Sequence, residues 1–237
     1  MEFVPRTFIE SVLCISKLSR LPLFQQLRSV QWSRSATVQL SRRQNWNLGV
    51  FLAEDGGLSV ILDDSSDDDP RWDPTVASLE EFVRKDPRFH QITSIWFDHE
   101  CDDVVLLEAS DPSQWTHITS AMDVKKCFRR ILGRINFGAL DCLCLRIIDS
   151  VGLHSTILEH LLDNDAKTRE LLLAYQGPAS TEFLRRHVHK NELTKLHLCE
   201  GWPLEGMVPL VEALVQQKQL QNFSTDTRMN PGAGLEP

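Results

Sequence analysis

One short pattern of apolar residues recurs from residue 92 to residue 223 of this 237-residue chain. In its clearest copy, residues 193–198, leucines occupy the first, fourth and sixth positions, and the same spacing recurs at 140–145 and 92–97. Alternate residues of a strand point to the same side, so this spacing predicts a strand with one buried face. Stretches of helical periodicity lie between the copies. The pattern therefore favours stacked strand–helix units.

Weaker copies fill the gaps between the clear ones. The six copies begin at 92, 115, 140, 168, 193 and 220, so their starts are 23 to 28 residues apart. This lies within the 20–29-residue period of leucine-rich repeats. We predict that residues 76–223 form a short α/β array of leucine-rich type, with a parallel sheet and helices on its outer face. We expect the array to be irregular, because the asparagine or cysteine typical of the ninth position is replaced by Gly201, Ile148, Gln176 and Glu100.

Two smaller segments precede the array. In residues 1–37 the apolar positions follow helical spacing on both sides of Pro22, which predicts a helical hairpin. Such a hairpin is too small to be stable alone, so it must pack on the array or on a partner. Residues 38–63 alternate between apolar and polar on both sides of Asp55-Gly56-Gly57. This predicts a β-hairpin that closes the first edge of the array.

Two segments are predicted to lack regular structure. The first, 64–75, belongs to a run in which residues 63–69 include five aspartates. A segment with so little to bury is expected to be a solvated loop. It does not fit a calcium-binding EF-hand loop, because Asp68 and Pro74 stand where that loop needs glycine and glutamate. The second segment, the tail 224–237, is expected to be disordered.

The charge is unevenly distributed. The net charge is -8, yet residues 1–53 carry about +5 and the remainder about -13, so the two parts are expected to face different partners. No dense cluster of Lys and Arg indicates a nucleic-acid surface. No apolar run approaches the roughly 20 residues of a membrane span, and the first residues do not resemble a signal peptide. We therefore expect a cytoplasmic or nuclear protein that binds neither membrane nor nucleic acid, with its six cysteines reduced.

The sequence predicts no catalytic residue, no metal site and no cofactor. His187 and His189 would project about 200° apart from a helix, so they cannot chelate one ion together. The run 98–101 contains carboxylate, imidazole and thiol, but adjacent side chains seldom converge on one substrate atom. Phosphate-binding loops and hydrolase or kinase motifs are not found. An enzyme that uses Cys/His chemistry stays as a minor alternative.

The N-terminal residues resemble a known family. Val4-Pro5, Phe8-Ile9 and Val12-Leu13, followed by Leu23, Leu27, Val30 and Trp32, resemble the F-box, in which packed helices dock on a Skp-family adaptor. The chain as a whole, with 184–196 and 201–203, is similar to the divergent nematode F-box-like proteins that carry a C-terminal leucine-rich-like region. The resemblance implies a non-enzymatic, substrate-recruiting subunit of a cullin-type ubiquitin ligase. It implies adaptor contacts through Val4, Pro5, Phe8, Ile9, Val12, Leu13, Leu27 and Val30.

A target-binding surface follows from the proposed strands. Trp96, Cys144, Leu172 and His197 occupy equivalent positions between the buried residues, so stacked strands would align them in one row on the face away from the helices. We predict that this row contacts an unknown protein target, with Trp96 as anchor. The alternative for Trp96 is that the hairpin or the acidic loop covers it. The alternative for the whole protein is a free-standing repeat scaffold whose N-terminal helices only cap the array.

Overall fold

The computed structural model describes residues 4–53, 56–64, 75–98, 114–146, 152–199 and 201–226. The helices are Arg6–Ile15 (α1), Leu21–Gln25 (α2), Val30–Arg42 (α3), Leu79–Arg84 (α4), Ala121–Leu132 (α5), Leu153–Asp163 (α6), Pro178–Lys190 (α7) and Leu204–Gln216 (α8), with a 3-10 turn at Leu18–Arg20. The strands are Gln44–Leu52 (β1), Leu58–Asp64 (β2), Val76–Ala77 (β3), His90–Asp98 (β4), Thr116–Ile118 (β5), Cys142–Leu145 (β6), Glu170–Leu173 (β7), Lys195–Leu198 (β8) and Asn222–Thr225 (β9).

These nine strands form one sheet, in the order β3-β2-β1-β4-β6-β7-β8-β9, with β5 paired to β2. From β1 to β9 the neighbours in this order run parallel, whereas β2 pairs antiparallel with β1, β3 and β5. The structure is therefore mixed α/β with a mostly parallel sheet, as predicted. The leucine-rich character of the array stays a prediction.

The helices from α5 onward cover one face of the parallel strands. Leu143, Leu171 and Leu196 stand in register on β6, β7 and β8, and all three are buried. They share one hydrophobic core with Ile157 of α6 and Leu184 of α7. On the opposite face of β7 and β8, polar or partly exposed side chains alternate with these leucines, whereas on β6 the alternating residues Cys142 and Cys144 are buried as well. This second face is called the open face below.

The copy of the apolar pattern that begins at Trp115 is not part of the parallel array. Its strand β5 pairs antiparallel with β2, where Ile118 lies opposite Leu58. Strands β4 and β6 are direct neighbours, so no place remains between them for a further strand. The prediction was wrong here because an apolar spacing indicates a strand with one buried face but does not fix which strand it joins.

The hairpin predicted in 38–63 is present as β1 and β2. Gly56 adopts φ +79°, a left-handed conformation that glycine takes without steric cost, while Asp55 lies outside the described residues. β1 also pairs in parallel with β4, so the hairpin extends the sheet. Strand β2 continues through Asp63 and Asp64, and buried Asp63 accepts a 2.8 Å hydrogen bond from Asn47. The acidic stretch 65–74 lies outside the described residues.

Three α-helices, rather than the two expected, form the N-terminal module, defined here as residues 4–42. Helix α3 continues to Arg42, beyond the predicted boundary at 37, because Ala36 and Gln39 extend its buried face. The module has its own small core, in which Phe24 stacks on Trp32 at 5.5 Å. At the other end of the chain, residues 224 and 225 belong to β9 instead of a disordered tail.

The module is fastened to the sheet through the C-terminal end of α1. The last carbonyl oxygens of a helix have no partner within the helix. Here buried Arg43 donates hydrogen bonds to the carbonyl oxygens of Leu13 (3.3 Å) and Ser16 (2.6 Å). Asn136, which follows α5, donates to the Cys14 carbonyl at 3.1 Å and to the Gln91 side chain of β4 at 2.8 Å. Side chains from both sides of the junction thus replace solvent at the helix end.

The close approach at this junction gives a stability prediction. A Cβ atom on Gly138 would lie 2.7 Å from the Ile15 carbonyl oxygen, whereas one on Gly133 would meet nothing within 4 Å. We expect Gly138→Ala to lower the free energy of unfolding by about 1–3 kcal/mol, the usual cost of overpacking. The control Gly133→Ala is expected to leave it unchanged or raise it by less than about 1 kcal/mol. Urea unfolding of both variants measures the difference, and equal effects would contradict the described junction.

Two buried histidines give a pH prediction. Burial lowers the pKa of His154 and of His187 to about 4, although Phe183 O, 2.9 Å from His187 Nδ1, opposes the shift at His187. The unfolded chain therefore binds more protons below pH 6.5, and stability is lost as the pH falls from 6.5 to 4, by on the order of 3 kcal/mol for each histidine. In urea unfolding at several pH values, His187→Leu should reduce the loss of unfolding free energy between pH 6.5 and 4. The exposed control His189→Leu should not.

Candidate functional site

The N-terminal module exposes an unusual number of large apolar side chains for its size. Phe8 is 54% exposed and Val30 is 78% exposed. Three further side chains, Ile15, Leu23 and Leu27, are also exposed. Phe8 and Ile15 are seven residues apart on α1 and therefore lie on one side of that helix. These five residues are called the exposed apolar set. Phe8 and Ile15 thus form an exposed apolar stripe on α1, a feature that suits contact with another protein.

The residues predicted to contact an adaptor fall into three groups. Pro5, Phe8, Leu27 and Val30 are exposed, and Val4 and Val12 are partly buried against the core of the module. Ile9 and Leu13 are 0% exposed, so they hold the helices together and cannot contact a partner directly, which corrects that part of the prediction. Two further exposed residues, Ile15 and Leu23, were not among the predicted contacts, although Leu23 belongs to the F-box resemblance. The seven-residue spacing from Phe8 was the signal for Ile15.

A basic cleft borders the module. It has a volume of about 510 Å³ and lies between α1, α3 and the residues that precede β4. Its lining includes four arginines (Arg6, Arg34, Arg42, Arg88) and one acidic residue, Glu10. Arg6 pairs with Glu10 at 2.7 Å, and Arg88 pairs with Asp86, which lies outside the lining, also at 2.7 Å. The surface next to the module therefore carries positive charge, in agreement with the charge balance of the sequence.

The predicted row on the open face is present in the predicted register. Trp96 pairs with Cys144, Cys144 with Leu172, and Leu172 with His197 on successive strands. Trp96 is 40% exposed, and Leu172 and His197 are partly exposed. Cys144 is 0% exposed, so its predicted contact with a target is wrong. A fully buried thiol cannot contact a partner directly.

The C-terminal end of the row is polar. His197 Nδ1 is 2.7 Å from Ser224 Oγ, and His197 Nε2 is 3.0 Å from Asp226 Oδ2. Asp98, which ends β4, accepts a 2.9 Å hydrogen bond from Arg146, and Arg146 also hydrogen-bonds to Cys199. The open face thus combines an aromatic side chain, an aliphatic one and a charged end. This mixture suits recognition of a peptide or protein surface.

The cysteines of the described residues are poor nucleophiles in the folded chain. Burial raises the pKa of Cys127 and Cys199 to about 11 and that of Cys142 to about 12, and it raises the pKa of Cys144 as well. The thiolate is the reactive form, so a protonated thiol reacts slowly. Of the run 98–101, only Asp98 is described, and the other three residues lie outside the described part of the chain.

Comparison with known protein families, with curated proteins and with solved structures gave no match for this chain. Within the described ranges, the helices are too short or too polar for any of them to span a membrane.

The raised thiol pKa values give a labelling prediction. At pH 8 and in the presence of a chelator, we expect Cys127, Cys142, Cys144 and Cys199 to resist alkylation in the folded chain, because burial keeps them protonated. All four should react after unfolding in urea. Peptide mass spectrometry after iodoacetamide treatment measures each site. Rapid modification of any of the four before unfolding would contradict the burial described above.

Proposed function

We propose that the chain is a non-enzymatic interaction protein that joins two partners. The N-terminal module binds a Skp-family adaptor of a cullin-type ubiquitin ligase, and the open face of a leucine-rich-like array binds a protein target, in the cytoplasm or nucleus. The protein acts by proximity, because it raises the effective concentration of the target near the ligase. The observation that carries the proposal is the exposed apolar set on a module that already has its own closed core.

The presence of both a buried and an exposed apolar stripe on α1 supports the adaptor contact. On α1, Ile9 and Leu13 form one buried stripe, and Phe8 and Ile15 form a second, exposed stripe. A helix that serves only as a cap needs one apolar stripe, whereas this one has two. Exposed apolar side chains that are surrounded by polar groups match the usual anatomy of a protein interface. The neighbouring arginine-lined cleft favours an adaptor surface with acidic groups at its rim.

The open face supports the target contact. Trp96 offers a large, partly exposed aromatic side chain on a rigid strand, and such residues often dominate binding energy. Leu172 and His197 extend the surface across two further strands in fixed register. The parallel strands hold these side chains without a mobile loop, so little conformational entropy is lost on binding.

A scaffold whose helices only cap the array is the second candidate, and one observation favours it. The junction at Arg43 and Asn136 shows that the module packs firmly on the sheet, as a cap would. The two candidate functions give the exposed apolar set different roles. A cap needs no partner there, whereas an adaptor-binding module needs those side chains for affinity.

Adaptor binding by point variants separates the two candidates. Isothermal calorimetry with a purified Skp-family adaptor should show binding by the full chain. Leu27→Asp and Val30→Asp should each weaken it at least about tenfold, because a carboxylate is then buried in an apolar contact. Both side chains are exposed in the free protein, so the variants should fold normally.

Leu204→Asp at the first residue of α8 is the matched control, since Leu204 is apolar and exposed like Leu27 but belongs to a helix outside the module. It should bind the adaptor as the unaltered chain does. No binding by the unaltered chain, or equal binding by the Leu27 and Val30 variants, would leave the scaffold as the better account.

A further inference from the structure

Three side chains with different metal-binding atoms converge at the C-terminal end of the open face. They are His197 on β8, Cys199 just after it, and Asp226 just after β9. One imidazole nitrogen, the Cys199 sulfur and one Asp226 carboxylate oxygen all lie within 4.8 Å of one another. Two of the donors already touch, since His197 Nε2 is 3.0 Å from Asp226 Oδ2.

The parallel register of the last two strands creates this cluster. His197 and Cys199 are two residues apart on extended backbone, so both point to the open face. His197 pairs with Ser224, and the Asp226 amide donates a 3.0 Å hydrogen bond to the Leu198 carbonyl, which brings Asp226 beside Cys199. Because Asp226 is far from the other two in sequence, the spacing of the ligands resembles no metal-binding motif.

We propose that His197, Cys199 and Asp226 bind one divalent transition-metal ion of the zinc class, which fastens β9 to β8. Sulfur, imidazole nitrogen and carboxylate oxygen are the donor types that Zn²⁺ takes in proteins. Donors around tetrahedral zinc lie about 3.5 Å apart. The three donor atoms lie within 4.8 Å of one another here, so side-chain rotations that move them by roughly 1 Å would bring them to coordination distance. The Asp226 side chain is open to solvent, which leaves room for water as the fourth ligand.

The surroundings of the cluster fit a bound cation. A metal-bound histidine usually donates its other ring N–H to a hydrogen-bond acceptor. Ser224 Oγ, at 2.7 Å from Nδ1, is placed to accept that hydrogen bond, and the ion would take the place of the present contact between Nε2 and Asp226 Oδ2. The Cys199 thiolate and the Asp226 carboxylate together balance the charge of a divalent ion. Arg146 hydrogen-bonds to Cys199, but its charge is matched by Asp98 at 2.9 Å.

The ion would act on the least supported strand of the described sheet. All four residues of β9 are exposed, and β8 is its partner on one edge. An ion shared by both strands ties β9 down and stabilises the folded form in proportion to metal occupancy. It also engages His197, so that Trp96 and Leu172 become the main contacts of the predicted target row.

Cobalt substitution tests the proposal on the full chain without an affinity tag. After chelator treatment, we expect one Co²⁺ per chain, with the near-ultraviolet absorption of a thiolate–cobalt bond, and competition by Zn²⁺. Cys199→Ser should abolish that absorption. Asp226→Asn, at an exposed side chain, should weaken binding at least tenfold without affecting the fold. Affinity should rise with pH, because burial raises the pKa of the Cys199 thiol to about 11 and the metal must displace its proton.

Cys127→Ser is the matched control, because Cys127 is also a buried thiol with a pKa raised to about 11 but lies on α5. It should keep both the absorption and the affinity. Three results would each overturn the proposal: no stoichiometric binding, Co²⁺ bound without a thiolate band, or a band that survives Cys199→Ser. An equal loss of cobalt affinity in Cys199→Ser and Cys127→Ser would also overturn it, since the loss would then not be specific to the cluster of His197, Cys199 and Asp226.

Discussion

The buried guanidinium of Arg43 connects the two halves of this protein. It lies at the C-terminal end of α1 and donates hydrogen bonds to the carbonyl oxygens of Leu13 and Ser16, the first of which also accepts one from the Ser16 amide. Arg43 is 6% exposed, so the junction excludes solvent, and this burial lowers the pKa of its guanidinium. Because Asn136 and Gly138 complete the same junction, the module has one defined position on the sheet. Any partner held by the module is therefore held at a fixed distance from the open face.

The parallel register of β4, β6, β7, β8 and β9 is the second constraint, because it places the side chains of the open face next to one another. Successive strands place Trp96, Cys144, Leu172 and His197 in one row, and the same register brings Asp226 beside Cys199. Within the described residues, α5 to α8 pack on one face of the sheet, and Trp96, Leu172 and His197 are partly exposed on the other. The exposed apolar set lies on a separate module, so two partners can bind the protein without competing for one surface.

The sequence predicted whether a residue is buried where this depends only on its position within its own strand or helix. The buried positions of the copies at 92, 140 and 193 and the alignment of Trp96 with His197 followed from alternation within each strand. Burial that depends on neighbours was not predictable. Cys144 is buried although it occupies the same row as the partly exposed Trp96 and Leu172, and β5 joins β2 because of sheet pairing that no local spacing records. Ile9 and Phe8 have similar hydrophobicity, and only the packing of α1 decides which of them faces a partner.

Hydrogen–deuterium exchange of the full chain with and without a Skp-family adaptor tests the central claim, that the module and the open face are separate binding surfaces, most directly. The account predicts slower exchange on adaptor binding in peptides from residues 4–36. It predicts unchanged exchange in peptides that cover β7 and β8, where the open face would remain free for a target. Slower exchange at β7 and β8, or no change in 4–36, would contradict it.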